Sequence, residues 1–374
     1  MLHSIINNSK KFYTNFILNF ACGVILTPQR KTIPSIAKTL NITCCSIYRF
    51  LKKQRPYVSF SPQRFFNYIK PFSQDGFFVI DDSVVTKQFS KSIEGTSEVF
   101  DTITNRSCLG LSLITLAWTN GNETIPLVYA LWYNKDVAKE EYKTKIALAQ
   151  ELILSIPSSI NAQGLIFDGL YATKEMREFL VQMNIRFVAR AATNRVVESI
   201  GVKRALKQHP ALKLRKNEHS RTIKAEWHGL MLYYTVEKRK DKNGETSIVF
   251  LVSNFPDSSK EYVRIYKLRW GIEMFHRTAK QSLGLKDCQS TNLDMQKVRI
   301  CNLFYIYAFL QHQKKLRKAS SVELVIRSLQ MLKREDLLIA LVAFNQIFHK
   351  SCIYKHILLI LTLLNTGGVL LNIE

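Results

Sequence analysis

Three carboxylates stand where they could bind divalent metal ions: Asp81, Asp168 and Glu273. The first two each follow a short apolar run, at 77–80 and at 165–167, so each is expected at the end of a buried strand. Ligand sites of α/β folds commonly lie at that edge of the sheet. Two Mg²⁺ ions about 4 Å apart stabilise the attacking and leaving oxygens of a phosphodiester reaction, and such ions prefer hard carboxylate ligands. The three acids therefore predict metal-dependent chemistry on phosphodiesters.

Asp82 directly follows Asp81, so the first position is ambiguous. Neighbouring residues of a strand point to opposite faces of the sheet, and only one of the two aspartates should face the site. We favour Asp81. An aspartate after a strand is often no more than a turn residue, so each one alone is a weak signal.

The third acid belongs to the patterned segment RIYKLRWGIEMFHRTAKQSLGL. The spacing Y-x2-R-x3-E-x6-K is formed by Tyr266, Arg269, Glu273 and Lys280. In a helix of about 100° per residue, these four side chains fall within roughly one sixth of the circle. The other side carries an apolar stripe: Leu268, Ile272, Phe275 and Ala279. One face is therefore expected to pack, and the other presents a carboxylate among two cations and a phenol, which suits phosphate binding.

The same helix also admits a plainer interpretation. Arg269 and Glu273 stand four residues apart, and such pairs are common on amphipathic surface helices, where each is worth only about a few tenths of a kcal/mol. We predict a helical region over 259–284, with Gly284 placed to end the helix. Walker loops, GxGxxG and nucleophile constellations of His or Cys are absent from the sequence.

The chain is strongly basic: its 374 residues include 53 Lys and Arg against 29 Asp and Glu, a net charge of +24. No acidic residue precedes Asp75, and eight basic residues span Lys203 to Lys224 with one acid, Glu218. This charge predicts a polyanionic partner, most commonly nucleic acid, although ribosome binders and membrane-surface proteins are basic too. We expect no membrane role, and we interpret the seven cysteines as reduced thiols of a cytosolic protein.

A short segment near the N-terminus, 33–53, predicts two helices around a tight turn. The second helix is basic and contains Arg49 and Lys52, as in a helix-turn-helix that places its second helix in the major groove of DNA. An ordinary helical hairpin is the alternative, because the pattern is short and common.

From about residue 71 the pattern becomes α/β. Strands are predicted at 108–118 and 124–132, joined through Asn120-Gly121, which is a strong hairpin signal. A helix over 139–156, the strand at 165–167, a helix over 174–183 capped by Thr173 and a strand at 185–191 then follow in order. This succession is the one expected of a ribonuclease-H-like fold.

The predicted organisation has four parts. Residues 1–70 form a helical DNA-binding region, and 71–192 with 256–312 form the α/β core. The core is interrupted at 193–255 by a basic, mainly β stretch with strands at 231–236 and 247–253 and a turn at 241–244. A helical region, 313–374, ends the chain and contains a short apolar run at 357–364.

With these motifs the sequence strongly resembles the DDE transposases of the insertion-sequence-four family. The hallmark of that family is a Tyr-Arg-Glu-Lys helix, whose spacing is matched at all four positions by Tyr266, Arg269, Glu273 and Lys280. The first family aspartate corresponds to Asp81 in FVIDDSVV, and the second corresponds to Asp168 in LIFDGLYAT. The resemblance covers about 71–312, and the stretch at 193–255 fits the mainly β insertion of the family.

The resemblance implies a DNA transposase that binds element ends and performs metal-dependent cleavage and strand transfer, moving DNA by cut and paste. It implies two Mg²⁺ ions, replaceable by Mn²⁺, held by Asp81, Asp168 and Glu273. It also implies a homodimer acting on double-stranded DNA, both the terminal inverted repeats and the target, in the bacterial cytoplasm at the nucleoid. In some members a tryptophan of the insertion stacks on a flipped base; Trp227 is a candidate, and a buried core tryptophan is the alternative.

Two other functions remain open from the sequence. The chain could be a catalytically inactive, DNA-binding remnant or regulator that keeps the fold, although all the acids that metal chemistry requires are present. It could also be a metal-dependent nuclease without a joining step, which would have no need of the Tyr-Arg-Lys face. The stretch after about residue 313 departs from the family pattern, which leaves dimerisation, often assigned to that end, open.

Overall fold

The computed structural model describes residues 9–54, 61–87, 92–101, 105–240 and 244–349. Within these ranges the strands are β1 (Phe77–Thr86), β2 (Ser97–Asp101), β3 (Arg106–Thr119), β4 (Thr124–Trp132), β5 (Leu165–Phe167), β6 (Phe187–Ala191), β7 (Val196–Ser199), β8 (Val202–Ala205), β9 (Ser220–Trp227), β10 (Leu230–Lys240) and β11 (Thr246–Ser253). The α-helices are α1 (Ser9–Leu26), α2 (Ile33–Leu40), α3 (Cys44–Gln54), α4 (Ser61–Ile69), α5 (Lys135–Ala138), α6 (Lys145–Leu154), α7 (Lys174–Gln182), α8 (Ser259–Lys267), α9 (Trp270–Gln281), α10 (Leu293–Leu316), α11 (Val322–Gln330) and α12 (Arg334–His349).

One mixed, largely open sheet contains all the described strands. At its centre, β1 is parallel to β5 and antiparallel to β3, while β6 is parallel to β5 and β4 is antiparallel to β3. Beyond β6 the sheet continues in the order β11-β10-β9-β7-β8. This arrangement is consistent with the ribonuclease-H-like core that the order of elements predicts.

Strand β1 is longer than the apolar run at 77–80 predicts. It continues to Thr86 because its whole length pairs with β3. Its pairing with β5 stops at Ile80, opposite Phe167. Asp81 therefore lies just past the end of the pairing with β5, in the middle of a strand that continues along β3.

The elements around the hairpin mostly agree with the sequence. Strands β3 and β4 form the predicted hairpin, with Gly121 in its turn at φ +92°. Helix α7 begins at its predicted cap, since the Thr173 hydroxyl accepts a hydrogen bond from the Met176 N–H at 3.2 Å. The helix predicted over 139–156 is wrong at its start: α6 begins only after Thr144, which caps it.

Two short helices, α2 and α3, lie where the helix-turn-helix is predicted. Helix α2 begins after Thr32, which caps it, and Asn41, at φ 53°, ends it. Arg49 and Lys52 are exposed on α3. The apolar sides of α2 and α3 are buried and consist of Ile36, Leu40, Ile47, Phe50 and Leu51. Binding of DNA by α3 stays a prediction.

The helices near the two ends of the described chain pack against each other. Arg334 Nη1 donates to the Leu40 carbonyl at 2.9 Å, and Arg299 Nη2 donates to the Lys31 carbonyl at 2.9 Å. Most of α10 is buried on all sides, which is why it shows no apolar stripe. The N-terminal helices are therefore part of one packed body with α10 and α12.

The stretch 193–255 is richer in strands than predicted. The two predicted strands lie within β10 and β11, and the sequence missed β7, β8 and β9. The predicted turn at 241–244 lies, except for Gly244, outside the described residues, as does the apolar run at 357–364. Among the helices that the structure describes, none is long and apolar enough to cross a bilayer.

Candidate active site

Asp81 lies in β1, and Asp168 directly follows the neighbouring strand β5. The last residues paired in the parallel ladder of β1 and β5 are Ile80 and Phe167. Each aspartate is the next residue along its chain segment, so both lie at the same edge of this ladder. Burial raises the pKa of Asp81 to about 7. The Arg269 guanidinium acts in the opposite direction, and the charges of Asp82 and Asp168 raise the pKa further. Arg269 therefore offsets the effect of burial on the pKa of Asp81 only in part.

Arg269 and Tyr266 connect the three predicted acids. The Arg269 guanidinium donates through Nη1 to Asp81 Oδ2 at 3.0 Å and through Nη2 to Glu273 Oε1. The Tyr266 hydroxyl donates to Asp168 Oδ1 at 3.1 Å. The guanidinium carbon of Arg269 also lies 5.7 Å from the centre of the Tyr266 ring. Five residues from three distant segments thus meet in one place.

The charge states of Tyr266 and Arg269 follow from their surroundings. Burial raises the pKa of Tyr266, and the neighbouring Asp168 raises it too, against the effect of Arg269. The Tyr266 hydroxyl therefore stays a phenol that can donate. Burial alone would lower the pKa of Arg269, but Asp81, Tyr266 and Glu273 together raise it above its ordinary value. Arg269 is held as a cation among the acids.

Lys280, the last member of the predicted pattern, lies near the C-terminal end of α9 and is half-buried. Burial lowers its pKa. The charge of Asp101 opposes this most strongly, and Asp81 and Asp82 oppose it as well. Lys280 is thus within electrostatic reach of the acids on β1.

The patterned segment is not one continuous α-helix. Helix α8 ends at Lys267 and α9 begins at Trp270, and the junction is tightened by i to i+3 hydrogen bonds such as the one from the Arg269 N–H to the Tyr266 carbonyl. The wheel drawn for a single helix is therefore wrong in detail, and Tyr266 is buried. Helix α9 ends at Gln281, with Ser282 as its cap, so the helix ends slightly before Gly284. Gly284, at φ +75°, lies in the turn that follows, where the Leu285 N–H donates to the Ala279 carbonyl.

Asp82 is engaged elsewhere. Its Oδ2 accepts a hydrogen bond from Lys145 Nζ at 2.5 Å, and Lys145 belongs to α6. The alternation of a strand directs Asp82 away from the side chain of Asp81. The choice of Asp81 as the first acid of the site stays a prediction.

In the part of the chain that the structure describes, no three His, Cys, Asp or Glu side chains already converge as a metal cluster. Asp81 and Glu273 both turn toward Arg269 instead of toward each other. The donor set nevertheless fits a hard divalent cation, because it offers three carboxylates. Arg269 offsets only in part the burial and like charge that raise the pKa of Asp81, and a bound cation would favour its ionised form further.

The other predicted DNA-binding residues lie outside this site. Arg49 and Lys52 are on α3. Trp227 is buried at the end of β9 between two guanidiniums, with Arg177 and Arg195 at 4.3 Å and 4.4 Å from its ring centre. This environment agrees with the alternative of a buried core tryptophan.

Sequence reasoning missed two residues in or near the patterned segment, Trp270 and Arg239. Trp270 follows Arg269 directly and its side chain is 55 % exposed, with the Arg277 guanidinium 5.4 Å from its ring. Arg239 lies 5.6 Å from the Tyr266 ring. The position of Trp270 next to the patterned arginine was the available signal, whereas Arg239 is brought in by β10, which no local pattern could reveal.

Comparison with known proteins finds a family model that matches part of the chain. Residues 129–309 match the family model described as Transposase DDE domain. The match supports a DDE transposase, hence an enzyme class that acts on DNA, and domains of this family generally use divalent metal ions. No curated protein matches the chain.

Proposed function

We propose that this protein is a DNA transposase that binds the ends of its own mobile element, cleaves them and transfers the strands to target DNA. The observation that carries the proposal is the meeting of Asp81, Asp168 and Glu273 around Arg269 and Tyr266. The match to the transposase DDE domain supports it, although the match begins after Asp81.

In this proposal Asp81, Asp168 and Glu273 hold two Mg²⁺ ions, for which Mn²⁺ can substitute. When bound, the ions stabilise charge on the attacking and leaving oxygens of the phosphodiester. Tyr266 orients Asp168 by donating to its Oδ1. Arg269 and Lys280 are the cations available for the phosphates next to the reacting one, and Arg269 must exchange its carboxylate partners for DNA to do this.

The DNA partners follow from the same proposal. Exposed Arg49 and Lys52 on α3 would contact the terminal inverted repeat. Trp270 is better exposed than Trp227 for stacking on a base near the cut, since Trp227 is enclosed by two guanidiniums. We further propose action as a homodimer on paired ends by cut and paste, in the bacterial cytoplasm at the nucleoid, within the insertion-sequence-four family.

The test is incubation of the full-length protein with DNA from the flanks of its own gene, with Mg²⁺, with Mn²⁺ and with EDTA. We expect cuts at a discrete end that require the metal and are lost in Glu273→Gln. Glu175→Gln, an exposed glutamate of α7, serves as the matched control and should cut normally. Binding without a cut under either metal would contradict the proposal and favour an inactive remnant. Cuts without joining of the released end to target DNA would indicate a nuclease.

A further inference from the structure

The hairpin of β7 and β8 carries an exposed isoleucine at its tip. Ser199 pairs with Val202, which leaves Ile200 and Gly201 as a two-residue turn. Their φ values are 51° and 71°, as in a type I′ turn. The side chain of Ile200 is 94 % exposed, the largest fraction among the exposed large apolar residues that the structure describes.

Isoleucine is an unfavourable residue for this turn. A β-branched side chain is strained at positive φ, and turns of this type prefer Asn, Asp or Gly. The other described non-glycine residues with positive φ are Asn, Lys or His, and the neighbouring hairpin of β9 and β10 has His228 there. Neither backbone preference nor packing within the chain accounts for Ile200. Strain of this kind is expected where a side chain acts on a partner.

The base of the hairpin is firmly held. Val197 is buried, and the Ser199 hydroxyl donates to the Lys224 carbonyl of β9 at 2.8 Å. A further backbone hydrogen bond runs from the Leu206 N–H to the Arg195 carbonyl at 2.9 Å. The tip is therefore presented by a fixed support.

The surroundings of the tip indicate a polyanionic partner. Lys203, Arg204 and Lys207 are exposed on or just after β8. Two acids, Glu198 and its cross-strand neighbour Glu226, lie below the tip, against these three cations. Phosphates of nucleic acid complement such a surface.

We propose that this hairpin enters the minor groove of duplex DNA and inserts Ile200 between two adjacent base pairs. Apolar wedges of this kind unstack a step and kink the duplex, while flanking Lys and Arg side chains contact the phosphates. The proposal rests on the proposed function, because the duplex is the element end that the enzyme cuts.

For a duplex that runs along the sheet, the spacing of the strands gives an approximate position for the wedge. Strand β7 stands five strands from β5, which leads to Asp168. At about 4.8 Å per strand, this is about 24 Å along the sheet. The same length of duplex holds about seven base pairs at 3.4 Å each. The unstacked step is therefore expected about seven base pairs from the cleaved bond.

The test uses the full-length protein and end DNA with 2-aminopurine, whose fluorescence rises on unstacking, placed in turn at each position on both sides of the cut. In EDTA, wild-type protein should raise the signal several-fold at about the seventh pair. Ile200→Asn should abolish that rise and weaken binding about tenfold, while its Tm is unchanged or higher, because Asn suits the turn. Ile200→Met should keep the wedge, and Met331→Asn, also strongly exposed, is the control.

An Ile200→Asn protein that cuts, binds and unstacks like wild type would overturn the wedge and leave the transposase proposal intact. Loss of a dimer on substitution, with the fluorescence unchanged, would show that Ile200 contacts a second copy and would also overturn the wedge. A wild-type protein that neither binds nor cuts the end would overturn the proposed function, and the wedge with it.

Discussion

Asp81 lowers the stability of the folded protein at neutral pH. Burial, with the charges of Asp82 and Asp168, raises its pKa to about 7 against the effect of Arg269, whereas an aspartate in an unfolded chain titrates at about 3.9. Between these values the folded state binds the proton more tightly than the unfolded state does. Stability from this group therefore falls as pH rises from about 4 to about 7, and the penalty is complete above 7.

We predict that Asp81→Asn abolishes cleavage and stabilises the protein. At pH 8 in EDTA, the free energy of unfolding should rise by at least about 1 kcal/mol, because Asn removes a charge whose burial Arg269 offsets only in part. At pH 4 the gain should nearly vanish, because the unfolded chain then holds the proton as well. Denaturant unfolding at the two pH values measures this. An Asp81→Asn protein that is less stable than wild type at pH 8 would show that Arg269 compensates the acid fully.

Only part of this site could be predicted from the sequence. The spacing of Arg269 and Glu273 indicates their ion pair, because it is local. The second partner of Arg269, Asp81, is 188 residues away, and no local pattern connects them. The hydrogen bond from Tyr266 to Asp168 is non-local in the same way.

At the level of elements, close packing of α9 fixes the position of Glu273. A Cβ at Gly271 would lie 2.1 Å from Thr124 Oγ1 and 3.2 Å from Thr119 Oγ1, at the turn between β3 and β4. These two hydroxyls are hydrogen-bonded to each other at 3.0 Å. The helix can therefore approach the sheet only with glycine at this position.

We predict that Gly271→Ala destabilises the protein by about 1–3 kcal/mol and reduces cleavage, because α9 must move away from the sheet. In an open helix the same change would stabilise by about 1 kcal/mol, so the sign is informative. Thermal unfolding and the cleavage rate measure the two effects. Gly169→Ala is the control for stability, since its nearest neighbour would be 3.7 Å away. A more stable Gly271→Ala protein would contradict the packing.

Helix α3 makes a separate prediction about DNA binding. Arg49→Ala and Lys52→Ala should each weaken binding to the element end and reduce the slope of log K against log salt by about 1. Lys333→Ala, at an exposed position before α12, should change neither. Binding titrations at several salt concentrations test this, and unchanged slopes for both α3 variants would remove α3 from the interface.

Differences between the predicted and observed elements have physical causes. β1 extends past Asp81 because β3, from later in the chain, supplies a ladder along its whole length. The patterned helix breaks at 268–269, where i to i+3 hydrogen bonds replace the α-helical pattern, and one of them is donated by the nearby Gly271 N–H to the Leu268 carbonyl. The hairpin of β3 and β4 was predictable because its turn signal is local.

In the whole molecule, two of the described histidines, His276 and His312, are buried and oppose stability in acid. Burial lowers the pKa of His276 to about 3 and that of His312 to about 4; nearby cations act in the same direction. The unfolded chain binds these protons below about pH 6.5, and the folded protein does not. Stability should therefore fall as pH drops from about 6.5 toward 4.

We predict that His276→Gln makes the protein less sensitive to acid. Between pH 6.5 and 5 the wild-type protein should lose on the order of 1 kcal/mol per pH unit more than the variant does. His228→Asn, an exposed position at positive φ, should follow the wild type. If Tm falls equally with pH in wild type and in His276→Gln, the pKa of His276 is not lowered by folding.

The packing of the N-terminal helices against α10 and α12 also determines how DNA binding by α3 can be tested. Arg334 and Arg299 bind carbonyls of the N-terminal helices, so removal of residues 1–70 would expose the faces of α10 and α12. Loss of DNA binding after such a truncation would not separate recognition from folding. Point substitutions on the exposed side of α3 avoid this problem.

The most direct test of the central claim is binding of Mn²⁺ by the full-length protein at pH 8 with element-end DNA, followed by electron paramagnetic resonance. Wild-type protein and Glu175→Gln should bind about two ions per chain. Asp168→Asn and Glu273→Gln should bind at least tenfold more weakly and cut no DNA. Unchanged Mn²⁺ binding in both acid variants would contradict the assignment of these carboxylates as the metal ligands.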